Sequence, residues 1–184
     1  MTFEEIINTT KASQDPEELL KVYLHVEKIK PKVIVEVGSW KGYSLKLLDD
    51  LYHPETLIGI ESDKSVFLPE LKYPMLFADS NKIETKQLLL RFLQSRKIDF
   101  LFIDGDHHYE AVKKDFELYS PLVRSGGIIG FHDVALEGKN ADGHSWDEIG
   151  VQVKRFWDEV RINYHNVEYH GSSLGTGTGL LFID

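Results

Sequence analysis

Apolar and polar positions along this chain follow two periods in turn, and their succession predicts a repeating strand–helix order. Lys32 to Val37, Thr56 to Ile60, Pro74 to Ala78, Ile98 to Ile103 and Gly127 to Phe131 are short runs rich in Val, Ile, Leu and Phe, as strands are. Ile98 to Ile103 is almost wholly apolar, as expected of a central strand covered on both faces. The segments between them carry apolar residues at helical spacing. Asp15-Pro16-Glu17-Glu18 reads as an N-cap, a proline at the first helical position and an acid placed for a capping box. The helix it opens presents Leu19, Leu20, Tyr23, Leu24 and Ile29 and ends before Pro31. Further helices are expected at Ser44 to Tyr52, Lys64 to Leu71, Tyr109 to Val123 and Glu148 to Arg161. Asn81 is placed to cap another, with Leu88, Leu89, Phe92 and Leu93 on its buried side. Ala135 to Asp147 reads as a loop, and Val167 to Tyr169 and Gly179 to Ile183 as closing strands. The expected fold is α/β, doubly wound, with five parallel strands and a β-rich tail.

Composition narrows the partners. At 184 residues, 42% hydrophobic and 28% charged, the chain suits one domain, 1–184. The helical segment 1–30 is expected to serve as a lid or a homodimer contact. There is no cysteine, which removes disulfides, thiolate metal sites and a cysteine nucleophile and accords with a cytoplasmic setting. The start, Met1-Thr-Phe-Glu-Glu, lacks the basic and apolar regions of a signal peptide. No apolar run approaches the roughly 20 residues of a membrane span. The net charge of −9 disfavours nucleic acid, whose backbone attracts clustered Lys and Arg. A small-molecule partner is expected.

In a parallel sheet the carboxyl ends of the strands rim the ligand crevice, and here those ends are rich in chemistry. The fourth strand runs into Asp104-Gly-Asp106-His107-His108 and the fifth into His132-Asp133. The first leads through Glu36-Val-Gly38-Ser39-Trp-Lys-Gly42 into a helix. Gly38 permits a sharp turn and close ligand approach, but the Gly-x-x-x-Gly spacing misses the Gly-x-Gly-x-x-Gly of a dinucleotide site. Glu36 beside the turn would repel a pyrophosphate and suit a cation. Glu61 ends the second strand, nineteen residues after Gly42, where a carboxylate can bind a ribose diol or cap a helix. Asp79 and Ser80 follow the third strand and could read an adenine amino group. Lys113, Lys114, Asp115 and Glu117 read as a solvated helix face, and Trp40 and Trp157 as core. Trp146 and His144 read equally as a cover for substrate or as packing, and Gly171 to Gly179 as the turn between the last strands.

Glu36-Val-Gly-Ser-x-x-Gly42, Gly59-Ile-Glu61, Ala78-Asp-Ser80 and Phe102-Ile-Asp104-Gly-Asp-His-x-Tyr-Glu110 together resemble a class I S-adenosylmethionine-dependent methyltransferase. More narrowly, the chain from about Pro31 onward is similar to small bacterial O-methyltransferases related to macrocin O-methyltransferase and cephalosporin hydroxylase-type proteins. The resemblance implies a seven-stranded, mostly parallel Rossmann-like sheet with an antiparallel C-terminal strand, and methyl transfer from S-adenosylmethionine to a small-molecule hydroxyl. Glu36, Gly38, Ser39 and Gly42 would border the methionine part of the cofactor, Glu61 its ribose, Asp79 and Ser80 its adenine, and Asp104 would also touch it. In metal-assisted relatives, including catechol O-methyltransferases, acids ending the fourth and fifth strands hold a divalent cation. Asp104, His132 and Asp133 stand at those positions. Histidine at 132 departs from the usual oxygen pair, which tells against Mg and favours Mn, Fe or no metal. His107 falls where some relatives carry a catalytic base, and an ordinary pKa near 6.5 suits that task. Two other readings stay open: a haloacid-dehalogenase-like phosphatase using Asp104 and Asp106, and a non-catalytic cofactor-binding domain.

Overall fold

The computed structural model describes residues 2–12, 15–171 and 176–184. A seven-stranded sheet runs through the middle in the order β3-β2-β1-β4-β5-β7-β6. Its strands are β1 (Val33–Val37), β2 (Thr56–Glu61), β3 (Met75–Phe77), β4 (Ile98–Ile103), β5 (Val123–His132), β6 (His165–Tyr169) and β7 (Thr178–Phe182). The first five pair in parallel, and β7 lies antiparallel to both β5 and β6. The doubly wound α/β fold expected from the alternating pattern is the observed one. Among the described residues six α-helices accompany the sheet: α1 (Phe3–Thr9), α2 (Pro16–Val26), α3 (Tyr43–Tyr52), α4 (Ile83–Leu93), α5 (Tyr109–Tyr119) and α6 (Val153–Val160). None of them is long and apolar enough to cross a membrane.

Two apolar layers sandwich the sheet. On one face Val35, Ile58, Leu101 and Ile129 meet Leu89 and Leu93 of α4, Val112 and Leu118 of α5, and Phe156 and Trp157 of α6. On the other, Ile34, Phe100, Phe102 and Leu180 meet Val22 and Val26 of α2 and Leu45 and Leu48 of α3. Trp157 is wholly buried, as its sequence context suggested, and its indole N–H donates to Glu168 Oε2 at 2.7 Å.

Several expected boundaries shift for identifiable reasons. Lys64 to Leu71 is mostly irregular, with only a 3-10 turn at Pro69–Leu71, because Asp63 takes Ser65 into a local turn through both its amide and its hydroxyl. The helix expected to run from Tyr109 to Val123 stops at Tyr119, where Pro121 admits only a 3-10 turn, Ser120–Leu122. β5 starts earlier than expected, at Val123, and its register against β4 shifts between Ile98 and Phe100, around Gly126 and Gly127. α6 is shorter than the expected Glu148 to Arg161. On α4, Leu89 and Leu93 are buried as expected, while Leu88 and Phe92 lie on the exposed flanks. Asn81 does not cap that helix: Lys82 holds the N-cap position and the Asn81 side chain turns toward α5. Of the expected turn 171–179, residues 172–175 lie outside the described residues. α1 was not foreseen; Thr2 and Glu5 form a capping box for it.

At α2 the structure confirms the cap and corrects the box. Asp15 Oδ1 accepts from the amides of Glu17 and Glu18. Glu18, however, does not reach back to the cap. Its buried carboxylate accepts from the amides of Gly171 and Gly177 and from the hydroxyls of Thr176 and Thr178. α2 is thereby tied to the entrance of β7.

Since Trp157 joins α6 to β5 and to β6, Trp157→Ala should cost about 3–5 kcal/mol of unfolding free energy in chemical denaturation. A loss below about 1 kcal/mol would show that α6 is not part of the cooperative core.

Candidate functional site

The carboxyl ends of β1, β2, β3, β4 and β5 open onto one cleft of about 790 Å³. Its architecture begins where β1 and β4 diverge. Gly38 leaves β1 with a φ of +85°, and a Cβ built there would fall 2.1 Å from the carbonyl oxygen of Asp104. Only glycine permits that approach. The amide of Gly38 donates to the Ile60 carbonyl and that of Asp104 to the Val37 carbonyl, so three strand ends are stitched together behind the cleft.

The structure brings Gly38, Ser39, Glu61, Asp79, Ser80, Asp104, His107, His132 and Asp133 to the cleft wall. Two residues expected at the cofactor do not face it. Glu36 lies wholly buried inside β1, because the chain leaves the strand only at Gly38, whose φ of +85° carries the rim away from the side chains of the strand proper. Gly42 is the N-cap of α3 and is packed against Phe67 and Leu71 instead. Trp40, expected in the core, is 54% exposed and lines the cleft, with the Lys41 ammonium 4.2 Å from its ring centroid. His144 is exposed and Trp146 half-buried, and neither lines the cleft. Lys11, Ala12, Tyr43 and Asn81 are also part of the wall. Sequence spacing held no signal for Lys11, which arrives from a segment remote from every strand end; Asn81 was visible only as a helix cap.

One half of the cleft is a row of acceptors. Glu61 Oε2 accepts from the Trp40 amide at 2.8 Å and Oε1 from the Asp63 amide at 2.9 Å, which fixes the carboxylate plane. Asp79 Oδ1 accepts from the Asn81 amide at 2.9 Å. In the other half, four titratable groups meet. His107 stands between two carboxylates, Nε2 3.5 Å from Asp104 and Nδ1 3.4 Å from Asp133. His132 Nδ1 is 3.4 Å from Asp104 and 3.3 Å from Asp133, and its Nε2 is buried without a partner. Asp133 holds a left-handed φ of +63°. Burial alone would raise Asp104, but His132 and His107 outweigh it and hold the carboxyl well below the usual range. Burial would likewise lower His132, yet Asp104 and Asp133 hold it well above an ordinary imidazole. His107 is raised by Asp104, against its burial and with help from Asp133. One ligand atom from each of Asp104, His107 and Asp133 lies within 4.8 Å of the others, so the set suits a divalent cation with a nitrogen and two oxygens. Asp106 also lines the cleft, and its Oδ1 lies 2.6 Å from His108 Nδ1.

A model of the "Methyltransferase domain" family matches residues 35–134, from the middle of β1 to just past Asp133 and more than half of the chain. The chain belongs to this methyltransferase family. The matched span contains every strand end that builds the methyltransferase cleft. An uncharacterized protein of Acanthamoeba polyphaga mimivirus is 32% identical over 110 residues, 54% of this chain and 50% of its own length. The chain thus spans half or less of the curated relatives it matches. Among solved structures, the methyltransferase fold is shared with an O-methyltransferase from Bacillus cereus in complex with SAH, at a TM-score of 0.69 and 19% identity over 99% of this chain and 90% of that one. It is shared also with MycE of the mycinamycin biosynthetic pathway, in complex with Mg, SAH and mycinamycin VI, at a TM-score of 0.61 and 19% identity over 89% of this chain and 48% of that one.

Beside the methyltransferase turn, Glu36 is a wholly buried carboxyl group. Neither carboxyl oxygen has a hydrogen-bond partner. Burial pushes it up to about 8, against the nearby hydroxyls of Ser39 and Ser44. Because the folded value lies above the unfolded one of 4.5, the protonated folded state is favoured at low pH. Stability should fall as pH rises from about 4.5 to 8, at most about 1.4 kcal/mol per unit. Glu36→Gln should flatten that slope and stabilise the free protein at pH 8, as denaturant midpoints across pH would show. An unchanged slope would place the titrating group elsewhere.

Proposed function

We propose that this domain transfers a methyl group from S-adenosylmethionine to a hydroxyl oxygen of a small molecule, with a divalent cation at Asp104, His107 and Asp133. The observation that carries the reading is the division of one cleft into a half that accepts hydrogen bonds, at Glu61, Asp79 and Ser80, and a half that gathers carboxylates and imidazoles. The related folds whose structures hold SAH, or Mg and SAH, support it.

The residues fit the cofactor. Glu61 is oriented by two backbone amides before a ligand arrives, so a ribose diol meets a fixed acceptor at little ordering cost. Gly38 and Ser39 bring the turn after β1 to the cleft wall, where the methionine arm would lie. Asp79 and Ser80 stand for the adenine edge. The acids of the wall suit a cationic ligand and oppose a pyrophosphate. When bound, S-adenosylmethionine supplies a methyl group on a positively charged sulfonium.

The residues fit a cation as well. When bound, it supplies a Lewis acid that makes a coordinated hydroxyl more acidic. One imidazole nitrogen beside two carboxylates favours Mn or Fe over Mg, which keeps to oxygen. His132 faces the same two acids. It holds them in place from the buried side or joins the ligand set. With His107 among the ligands, the base role expected of it applies only to the cation-free site, where its ring is one-third exposed and both nitrogens lie near an acid that would stabilise the imidazolium. The segment ahead of α2 reaches the cleft at Lys11 and Ala12, which supports reading residues 1–30 as a cover over the cofactor. A phosphatase of the Asp-x-Asp type is disfavoured because Asp106 is engaged with His108 rather than paired with Asp104.

Calorimetry with S-adenosylhomocysteine should show one saturable site, and no heat with either it or S-adenosylmethionine would sink the cofactor assignment. Asp104→Asn should reduce methyl transfer by at least the roughly 10- to 100-fold lost when a group merely supporting a metal ligand is removed. Chelator should reduce wild-type turnover comparably; full activity in chelator would remove the cation from the reaction.

A further inference from the structure

The loop after β3 is held from behind by an acid that never reaches the cleft. Asp115 of α5 is wholly buried, although its sequence context read as a solvated face. Its Oδ1 accepts from Asn81 Nδ2 at 2.7 Å, while its Oδ2 has no partner. The same Asn81 nitrogen donates to the Ala111 carbonyl at 3.2 Å, and the Tyr119 hydroxyl donates to the Ser80 carbonyl at 2.6 Å. One helix therefore fixes two consecutive residues of the cleft wall.

The amide chemistry sets a direction. A carboxamide has two N–H donors on nitrogen and an acceptor oxygen. The Ala111 carbonyl can only accept, so the Asn81 nitrogen must face α5, and Asp115 takes the other proton. What remains to Asn81 on the cleft side is Oδ1, to which no described residue donates. Its neighbour Asp79 presents a carboxylate. This end of the cleft thus offers acceptors from two adjacent side chains. Stability does not explain the acid: burial pushes Asp115 up to about 7, against the neighbouring Ser80 and Asn81, and an apolar residue of similar size would avoid that cost.

We propose that Asp115 is a positioning residue that locks the Asn81 amide with its carbonyl oxygen toward the cleft, so that this end selects a purine bearing an exocyclic amine over its 6-oxo counterpart. The inference rests on the cofactor reading above and adds to it the residue pair that sets base specificity. A 6-oxo purine would put a carbonyl oxygen against Asp79 and Asn81 Oδ1, acceptor facing acceptor, leaving the site's groups unpaired.

The test is calorimetric binding of S-adenosylhomocysteine and S-inosylhomocysteine to the whole chain. Wild type should bind the adenine ligand at least about 10-fold more tightly, the scale of one unpaired polar group. Asp115→Leu should cut that ratio by about 10-fold, whereas Asp115→Asn, which keeps an acceptor for Asn81, should preserve it. If Asp115→Leu fails to fold, Asn81→Ala removes Oδ1 directly and should collapse the ratio in the same way. Wild type binding both ligands equally would overturn the proposal and leave the cofactor reading intact. So would a full ratio in folded Asp115→Leu or in Asn81→Ala. A ratio lost in Asp115→Asn would tie it to charge rather than to the hydrogen bond, against the positioning role. Binding of neither ligand by wild type would remove the cofactor reading, and the proposal with it.

Discussion

The contact between the Gly38 turn and the backbone of Asp104 is the constraint on which the cleft depends. A side chain at 38 would collide with a carbonyl 2.1 Å away, so the turn must be glycine for β1 and β4 to end side by side. That closeness joins two chemistries that the sheet order would otherwise leave apart. β2 and β3 lie to one side of β1 and carry Glu61 and the Asp79–Asn81 loop; β5 lies on the other side of β4 and carries His132 and Asp133. A ligand spanning the crevice meets both at once, as expected at the point where strand order reverses.

Around that junction the protein buries polar groups that a purely structural core would omit. Glu36 sits beside the turn, Asp115 behind the Asn81 loop, His132 between two carboxylates and Glu18 at the base of the β7 entrance. Each costs desolvation; the first three adjoin or form the cleft wall, and Glu18 reaches it at one remove. Glu18 illustrates the pattern: through Gly177 and Thr176 it is linked to Val134 and Ala135, whose amides donate to those two carbonyls immediately after Asp133. The interior of the sheet is apolar; its carboxyl edge holds the charges in place.

Much of this was legible in the chain itself. β-branched runs placed β1, β2 and β4, and the residues ending them were the ones that reached the cleft. What the sequence concealed was side-chain direction at the margins. Glu36 is two residues from Gly38, yet it lies inside β1, since the turn itself departs from the strand. Asp115 sits in a run of charged residues on α5, where local pattern indicates solvent; only the packing of α5 on the β3–α4 loop buries it. Trp40 read as core because tryptophan usually is, but its left-handed φ of +43° turns it outward. The partner of Glu18 is more than 150 residues away, beyond the reach of any capping rule.

As proposed above, the strand-end cleft of this methyltransferase domain is a cofactor site built jointly by β1, β2, β3 and β4. Hydrogen–deuterium exchange with and without saturating S-adenosylhomocysteine tests this most directly, since it reports where the ligand sits without requiring the methyl acceptor. Protection is predicted in segments 38–44, 61–63, 78–82 and 104–107, with the outer helix α6 unchanged. Protection confined to another part of the molecule, or none at saturating ligand, would contradict it.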